Sequence, residues 1–362
     1  MRGLVNLQTE PLILVINPGS TSTKVALFQG VQRAAEDTLL HGREQLARFS
    51  TLWDQFDFRL QAIQDFIARI KLPAFALQAV VGRGGLLKPL RRGIYRVSKE
   101  MIEEARKGVQ GEHVSNLGCA LAKEISTLYG GEAFVVDPVS VDEFEPLARY
   151  SGHPLIMRRA LSHALNLRAA AIWAAEQRNV DVEQNNFIVA HLGGGISVAP
   201  VKRGRIVDVN DASSDGPFSP ERSGGLPLQP LIDLCFSGQY TKEQIKQMVM
   251  GQGGLKAYLG SVDAREIEER INSGDKKAAE VYRAMAYQIA KEIGAMAAVL
   301  EGRIEAVVIT GGLAFSQILM NEIKRYISFI APVITLPGEL ELEAMAAGAL
   351  RGLSGREPIL VY

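Results

Sequence analysis

The sequence predicts an α/β protein made of two copies of one unit, and three observations support that fold class. Short aliphatic runs alternate with helical periodicity along the chain, the pattern of strands covered by helices. A glycine-marked polar turn between two apolar strands occurs at Gly19 and recurs about half a chain later at Gly193. The elements around each turn follow a similar order, which signals duplication even where residue identity is low.

Leu12-Ile13-Leu14-Val15-Ile16 is a short aliphatic run that reads as a buried strand. Turn formers from Asn17 to Thr23 break it, and Lys24–Phe28 resumes as a second strand, so the hairpin tip offers hydroxyls and backbone N–H groups. Leu60, Ile63, Ile67 and Ile70 recur at helical spacing and predict an amphipathic helix over 58–70. A strand at Ala79–Val81, a helix at Asn116–Leu128 and a strand at Phe134–Val136 follow, the last ending in Asp137-Pro138. In the second half, strands are predicted at Phe187–Leu192, Ser197–Val201, Arg205–Asp208, Ala306–Ile309 and Val333–Leu336. Helices are predicted at Lys276–Leu300, Gln317–Ile327 and Glu341–Leu353. Val139–Asn186 and Asp211–Gly274 read as less regular, rich in Gly, Pro and charge, and suited to lids facing a substrate. The expected domains are 1–138, completed by the C-terminal helix in 341–362, and 139–340. Two such units face to face are expected to leave a cleft lined by loops at the strand ends, where open α/β sheets bind ligands.

Composition narrows the class. Lys+Arg and Asp+Glu are both 40 in 362 residues, a net charge of zero that argues against a nucleic-acid coat or a polybasic membrane binder. Apolar residues are 47% and charged residues 22%, which excludes disorder as the dominant state. Glycine is in excess, at 35 residues against the usual share of about 7%. Cys119 and Cys235 have no His or Cys at metal-site spacing and read as two buried free thiols in a reducing compartment. Met1–Pro11 shows no apolar leader segment, and apolar runs such as Ala169–Ala175 fall far short of the ~18 residues needed to span a bilayer. A soluble, cytoplasmic protein is expected.

Several residues could carry chemistry. At the first turn, Gly19 would let backbone approach a phosphate while Ser20, Ser22 and Lys24 supply donors and charge; a plain polar hairpin tip is the alternative. The Walker A spacing is absent. His191 followed by Gly193, Gly194 and Gly195 is the counterpart, where three glycines after a strand cost too much backbone entropy for an ordinary turn. Arg83 lies among Gly82, Gly84 and Gly85, and Arg222 precedes Ser223, Gly224 and Gly225; each guanidinium suits a carboxylate or phosphate, or faces solvent. Arg158, Arg159 and His163 form a third basic group. Asp137, at a strand's C-terminal end, could hold Mg²⁺ or cap a helix. Thr310, Gly311 and Gly312 suit close approach to a nucleotide, and Glu339 and Glu341 sit where acids favour a helix dipole. Eleven of the 35 glycines lie in these turns.

These motifs, spread over about 300 residues, resemble the acetate and butyrate kinase family, in the larger group that holds actin, heat-shock chaperones and sugar kinases. Gly111–Gly118 and Ser151–Pro154 resemble the butyrate and branched-chain members, as does Arg83 where acetate kinases carry histidine. The resemblance implies a pair of ribonuclease H-like (actin-like ATPase) domains flanking a nucleotide cleft. It also implies reversible transfer of the ATP γ-phosphoryl to a short-chain carboxylate, butyrate or a branched acid first and acetate or propionate as the alternative. ATP/ADP and Mg²⁺ are the implied cofactors and a homo-oligomer the implied assembly. Asn17, Ser20, Ser22 and Lys24 would lie near phosphate and metal, and Arg83 and Arg222 would hold substrate. Asp137 would be the metal-linked acid, His191 would lie near the γ-phosphate, and Glu341 would be a further metal-linked residue. Arg159 stands where acetate kinases have a histidine, whereas Ser162-His163 keeps their pattern. A chaperone-like ATPase, or a sugar kinase using Asp137 as a base, are the competing classes.

Overall fold

The computed structural model describes residues 10–362, so the reading of Met1–Pro11 lies largely outside the described residues. In chain order it holds β1 (Leu12–Pro18), β2 (Ser22–Gln29), β3 (Gln32–Leu40), α1 (Arg43–Leu46), α2 (Phe56–Arg69), β4 (Ala79–Gly82), β5 (Ile94–Arg96), α3 (Lys99–Lys107), α4 (Leu117–Tyr129) and β6 (Glu132–Val136). Then come α5 (Ala164–Gln177), β7 (Asn186–Leu192), β8 (Ile196–Lys202), β9 (Arg205–Ile206), α6 (Leu228–Phe236), α7 (Lys242–Val249), α8 (Gly254–Leu259), α9 (Ala264–Asn272) and α10 (Lys276–Val299). The chain ends with β10 (Ala306–Gly311), α11 (Gln317–Ile327), β11 (Val333–Pro337), α12 (Glu341–Leu353) and β12 (Ile359–Leu360). Among the described residues no helix is long and apolar enough to cross a membrane.

The chain divides into two compact units, one running up to Val141 and including Glu341–Tyr362, the other Asp142–Leu340. The first has a seven-stranded sheet ordered β12-β5-β6-β4-β1-β2-β3. Within it β1, β4 and β6 are parallel, while β2 and β3 add antiparallel. The second unit has a five-stranded sheet ordered β11-β10-β7-β8-β9, with β7, β10 and β11 parallel and β8 and β9 antiparallel. Strand for strand, β6-β4-β1-β2-β3 repeats as β11-β10-β7-β8-β9, so the duplication is real at the level of topology.

Aliphatic runs covered on both faces make the central strands. Ile13 to Ile16, Val80, Val81, Ile188 to Ala190 and Val307 to Ile309 are fully buried, the pattern of interior parallel strands. The helices α2 and α4 close one core around Ile63, Ile67, Leu121 and Ile125, and α10 and α11 close the other around Met285, Ile289, Ile293 and Ile323.

Some elements depart from expectation. The β1–β2 pairing runs on to Pro18↔Thr23, which shortens the turn to Gly19, Ser20 and Thr21. The edge strand β3 is charged and largely exposed, without the apolar alternation that marks a strand, and β5 is only three residues long. The segments expected to be less regular hold α5 and α6 to α9. In α5, residues such as Leu165, Leu167, Ala170, Ala171 and Ala174 are buried nearly all round the helix, so no single apolar stripe announces it. The expected strand over 205–208 pairs only at Arg205 and Ile206. Cys119 is buried, and burial pushes its thiol up to about 12, but Cys235 is exposed on α6.

One backbone contact fixes the end of β4. A Cβ on Gly82 would lie 2.0 Å from the Gly118 carbonyl oxygen, and one on Gly118 would lie 2.1 Å from that of Arg83. Helix α4 therefore touches the strand with no side chain between them, and the chain beyond the strand is set by this contact. Gly118→Ala is expected to destabilise the protein by at least ~1–3 kcal/mol through overpacking. Gly294→Ala on α10, where a Cβ meets nothing within 4 Å, is expected to stabilise by about 0.5–1 kcal/mol. Thermal melts of the two variants shifting in the same direction would contradict this account.

Candidate active site

In the first unit, the parallel register pairs Ile16 with Gly82 and Gly82 with Val135. Asn17, in the last pairs of the β1 ladder, and Arg83 and Asp137, just past the ends of β4 and β6, therefore all lie at the same edge of the sheet. The first residue of α12 joins them. Asn17 Nδ2 donates to Glu341 Oε2 at 2.7 Å, and Arg83 Nη2 meets Glu341 Oε1 at 3.0 Å. The two charged side chains are only 7% and 12% exposed, yet Arg83 Nη1 is buried with no hydrogen-bond partner. A buried guanidinium nitrogen without an acceptor is costly, and an anionic ligand is what would satisfy it. Asp137 is buried, at φ 38°, a left-handed backbone uncommon for a residue with a side chain. Its Oδ1 accepts from the Gly93 N–H at 2.7 Å and its own N–H donates back to the Gly93 carbonyl at 3.0 Å, which holds it in place.

At the turn, Ser20 is exposed while Ser22 and Lys24 are half-buried. The turn is held from beneath by Arg59 of α2, a residue the sequence reading missed. Arg59 is fully buried. Its Nη1 donates to the carbonyls of Gly19 and Ser22 and to Thr23 Oγ1, each at 3.0 Å, and its Nη2 to the Ser20 carbonyl at 3.3 Å. Gln55 Oε1 takes the remaining donors. Gathering carbonyls on one side leaves the polar tip a defined shape without any carboxylate partner, and burial lowers the Arg59 pKa to about 10. The signal was present in the sequence: Arg59 lies four residues before Ile63, on the apolar face of its helix. His41 Nε2 pairs with Thr23 Oγ1 at 2.8 Å. Burial, helped by the nearby Arg59 charge, pushes His41 down to about 4.

In the second unit, β7 carries His191 at its end, with a ring that is 2% exposed. His191 Nδ1 lies 2.8 Å from Asn166 Nδ2 of α5, its ring stacks on His163 at 4.0 Å between centroids, and Glu339 Oε1 lies 4.0 Å from Nε2. His163 Nδ1 in turn pairs with Ser197 Oγ at 2.9 Å. Of the turn glycines, Gly195 leaves room for Arg222, because a Cβ there would lie 2.4 Å from Nη1 of that residue. Arg222 donates through Nη1 to the Ala212 carbonyl at 3.2 Å, and its Nε is buried without a partner. Its pKa is lowered by burial, against the charges of Glu221 and Asp211.

Arg159 and Arg158 separate in role. Arg159 is half exposed and pairs with Asp211 at 2.9 Å. Arg158 meets Asp208 at 2.8 Å and the carbonyls of Ala148 and Val209, which makes it a brace. Beside them burial raises Asp215 to about 6, and its Oδ1 has no partner. Gly311 is built into the fold: its N–H and carbonyl both bond to Gly338, and a Cβ would lie 2.3 Å from the Leu192 carbonyl oxygen. A Cβ on Gly312, by contrast, meets nothing within 4 Å.

For a metal, the donors in the first unit are the oxygens of Asn17, Asp137 and Glu341. Among the described residues no three His, Cys, Asp or Glu side chains converge as a metal cage. Oxygen donors with at most two carboxylates fit Mg²⁺, which keeps several waters and takes substrate phosphates, better than a metal held wholly by protein.

The fold has solved counterparts. A Porphyromonas gingivalis acetate kinase superposes with a TM-score of 0.77 at 19% identity, covering 95% of this chain and all of that one. A Francisella tularensis propionate kinase gives 0.75 at 17% identity, covering 93% of this chain and 98% of that one. The class is therefore a two-sheet α/β protein of the actin-like ATPase fold. Sequence narrows it. The chain is 49% identical to "Probable butyrate kinase 2" of Caldanaerobacter subterraneus, over 97% of its own length and 99% of the relative's. It is 46% identical to "Probable butyrate kinase" of Listeria monocytogenes, over 95% and 98%. The Acetokinase family profile matches residues 152–325, and the chain belongs to that family.

The His41 shift sets a pH test of the Arg59 turn. The unfolded chain takes up the His41 proton near 6.5, but the folded one refuses it until about 4. Stability from this group is thus intact above pH 6.5 and falls as pH drops from 6.5 to 4. His41→Gln is expected to flatten that part of the stability curve measured by denaturant titration; an unchanged slope would refute the burial of a neutral His41.

Proposed function

We propose that the chain is a carboxylate kinase of the butyrate kinase type, transferring the ATP γ-phosphoryl reversibly and in line to butyrate or a branched short-chain acid. The observation that carries this reading is the buried guanidinium left incomplete in each unit, Arg83 Nη1 and Arg222 Nε. Each wants an anionic oxygen, and the substrates supply carboxylate and phosphoryl oxygens. The names of the relatives at 46–49% identity support the acyl class.

A carboxylate is already ionised at neutral pH, so the reaction needs no general base. It needs positioning and compensation of charge on the equatorial oxygens. In this reading Arg83 orients the carboxylate, with Glu341 holding the guanidinium and Asn17 holding Glu341. Arg222 and His191 meet the phosphoryl oxygens, with Arg159 a further candidate. Ser20, Ser22 and Lys24 receive phosphate at the turn that Arg59 shapes, and Gly193, Gly194 and Gly312 leave backbone open to the nucleotide. Asn17, Asp137 and Glu341 would hold Mg²⁺ directly or through water, and that ion would neutralise charge on the phosphates. The domains 1–138 with 341–362, and 139–340, are read as the duplicated halves of this kinase. We place it in the cytoplasm, as a homo-oligomer.

A hydroxamate assay with ATP, Mg²⁺ and acetate, propionate, butyrate or isobutyrate tests the activity. Acyl phosphate is expected to form fastest from the four-carbon acids. ATP hydrolysis indifferent to every acid would favour a chaperone-like ATPase and overturn the reading. Arg222→Ala is expected to lower kcat by at least ~10²–10³ with an unchanged melting temperature. A near-normal kcat would remove Arg222 from its role.

A further inference from the structure

His191 has two ring nitrogens, and only one of them can face a substrate. Which nitrogen carries the proton is set by what the other one bonds to. At Nδ1 the partner is the amide of Asn166, 2.8 Å away, on a side chain that is fully buried. An amide can present either its oxygen or its NH₂ group, so its orientation decides the matter.

Two independent contacts settle that orientation. Asn166 Oδ1 accepts from the Leu340 backbone N–H at 2.9 Å. Turning the amide over would set two donors against each other there. On the other side, Asn166 Nδ2 lies 3.5 Å from Thr310 Oγ1, and the Thr310 hydroxyl spends its own hydrogen on the Gly338 carbonyl at 2.9 Å. The Thr310 oxygen therefore offers lone pairs to Nδ2. With Nδ2 a donor, His191 Nδ1 must be an acceptor, and in the neutral ring the proton then resides on Nε2.

We propose that Asn166 is a positioning residue that locks His191 as the Nε2–H tautomer, a neutral hydrogen-bond donor to the transferring phosphoryl group. The proposal rests on the assignment of His191 to the phosphoryl in the reading above, and adds the device that makes it work. A neutral ring with Nε2 bare would point a lone pair at anionic oxygens and repel them. With the proton held on Nε2, the donor is present whether or not the ring also carries a charge. The charged and titratable groups facing the ring are His163, stacked on it, and Glu339, 4.0 Å from Nε2. At Nδ1 the ring meets the Asn166 amide, and that bond sets the tautomer.

The direct test needs no variant. Full-length protein labelled with ¹⁵N-histidine gives long-range ¹H–¹⁵N correlations for its five histidines, and the set missing in His191→Gln identifies His191. At neutral pH Nε2 is expected to be protonated and Nδ1 bare. A proton on Nδ1 overturns the proposal, independently of whether the enzyme phosphorylates butyrate. The second test is Asn166→Asp, whose carboxylate can only accept and so draws the proton to Nδ1. Wild-type kcat is expected to show no dependence on His191 ionisation. The variant is expected to acquire a limb that falls as pH rises, because only the imidazolium then has a hydrogen on Nε2. Above that limb kcat should drop on the order of 10²–10³, while KM for the acid changes by less than about threefold. The limb is matched to the His191 titration in the same spectra, which separates it from His163 and Glu339. A variant with the wild-type pH profile refutes the proposal.

Discussion

The rest of the first unit depends on one demand: a guanidinium taken out of water must find acceptors. Arg83 is buried past the end of β4, where Gly82 and Gly118 bring strand and helix into backbone contact. Its visible partner, Glu341, comes from more than 250 positions later in the chain and opens α12. Removing either side of such a buried pair leaves an uncompensated charge, which costs roughly 3–5 kcal/mol. The last helix is therefore tied to the first unit by electrostatics as well as by the burial of Leu342, Met345 and Ala349. One guanidinium nitrogen remains without an acceptor, so the pair is stable enough to persist and incomplete enough to attract an anion.

The duplicated units solve the same problem at their turns by different means. Both sheets place a polar turn between the first two strands of the repeat, β1–β2 and β7–β8. In the first, a buried arginine from α2 collects the turn's carbonyls. In the second, glycines replace bulk, Ser219 Oγ donates to the Gly194 carbonyl at 2.5 Å, and the Arg222 side chain fills the space over Gly195. Topology survived the duplication while the side chains diverged. A cation beneath the turn in one copy and a cation across it in the other give the two turns different electrostatic character.

What could be read from the sequence follows from range. The strands β1, β4, β6, β7 and β10 are aliphatic runs buried on both faces, and a run of that kind is visible locally. The helices α10, α11 and α12 show their stripes and start close to where periodicity places them. Arg83 and Asp137 stand beside glycine or proline at strand ends, and His191 and Arg222 each lie two residues before a glycine run, which is also a local signal. Arg59 and Asn166 carry no such mark. Each is defined by bonds across large sequence separations, Arg59 to the turn near Gly19 and Asn166 to His191 and Leu340. An arginine on an apolar helix face was the one local hint, and in α5 the surrounding alanines hide even that. The helices α6 to α9 are short and bury little, so composition alone misread them as irregular.

The glycine excess has two causes, and separating them locates the open backbone. Of the eleven glycines in the turn motifs, Gly82, Gly84, Gly85, Gly195, Gly224 and Gly311 have no space for a Cβ, which would come within 2.6 Å of other atoms. Those six serve the packing of the protein against itself. Gly19, Gly225 and Gly312 meet only ordinary contacts or none, so packing does not explain them. Gly193 is the telling case: its Cβ would sit 3.1 Å from His191 Nε2. A side chain at 193 would crowd the very nitrogen that Asn166 keeps protonated. Glycine there leaves space around the donor, and an amide behind the ring keeps the proton on it. Both features suit the proposed arrival of an anionic oxygen at Nε2.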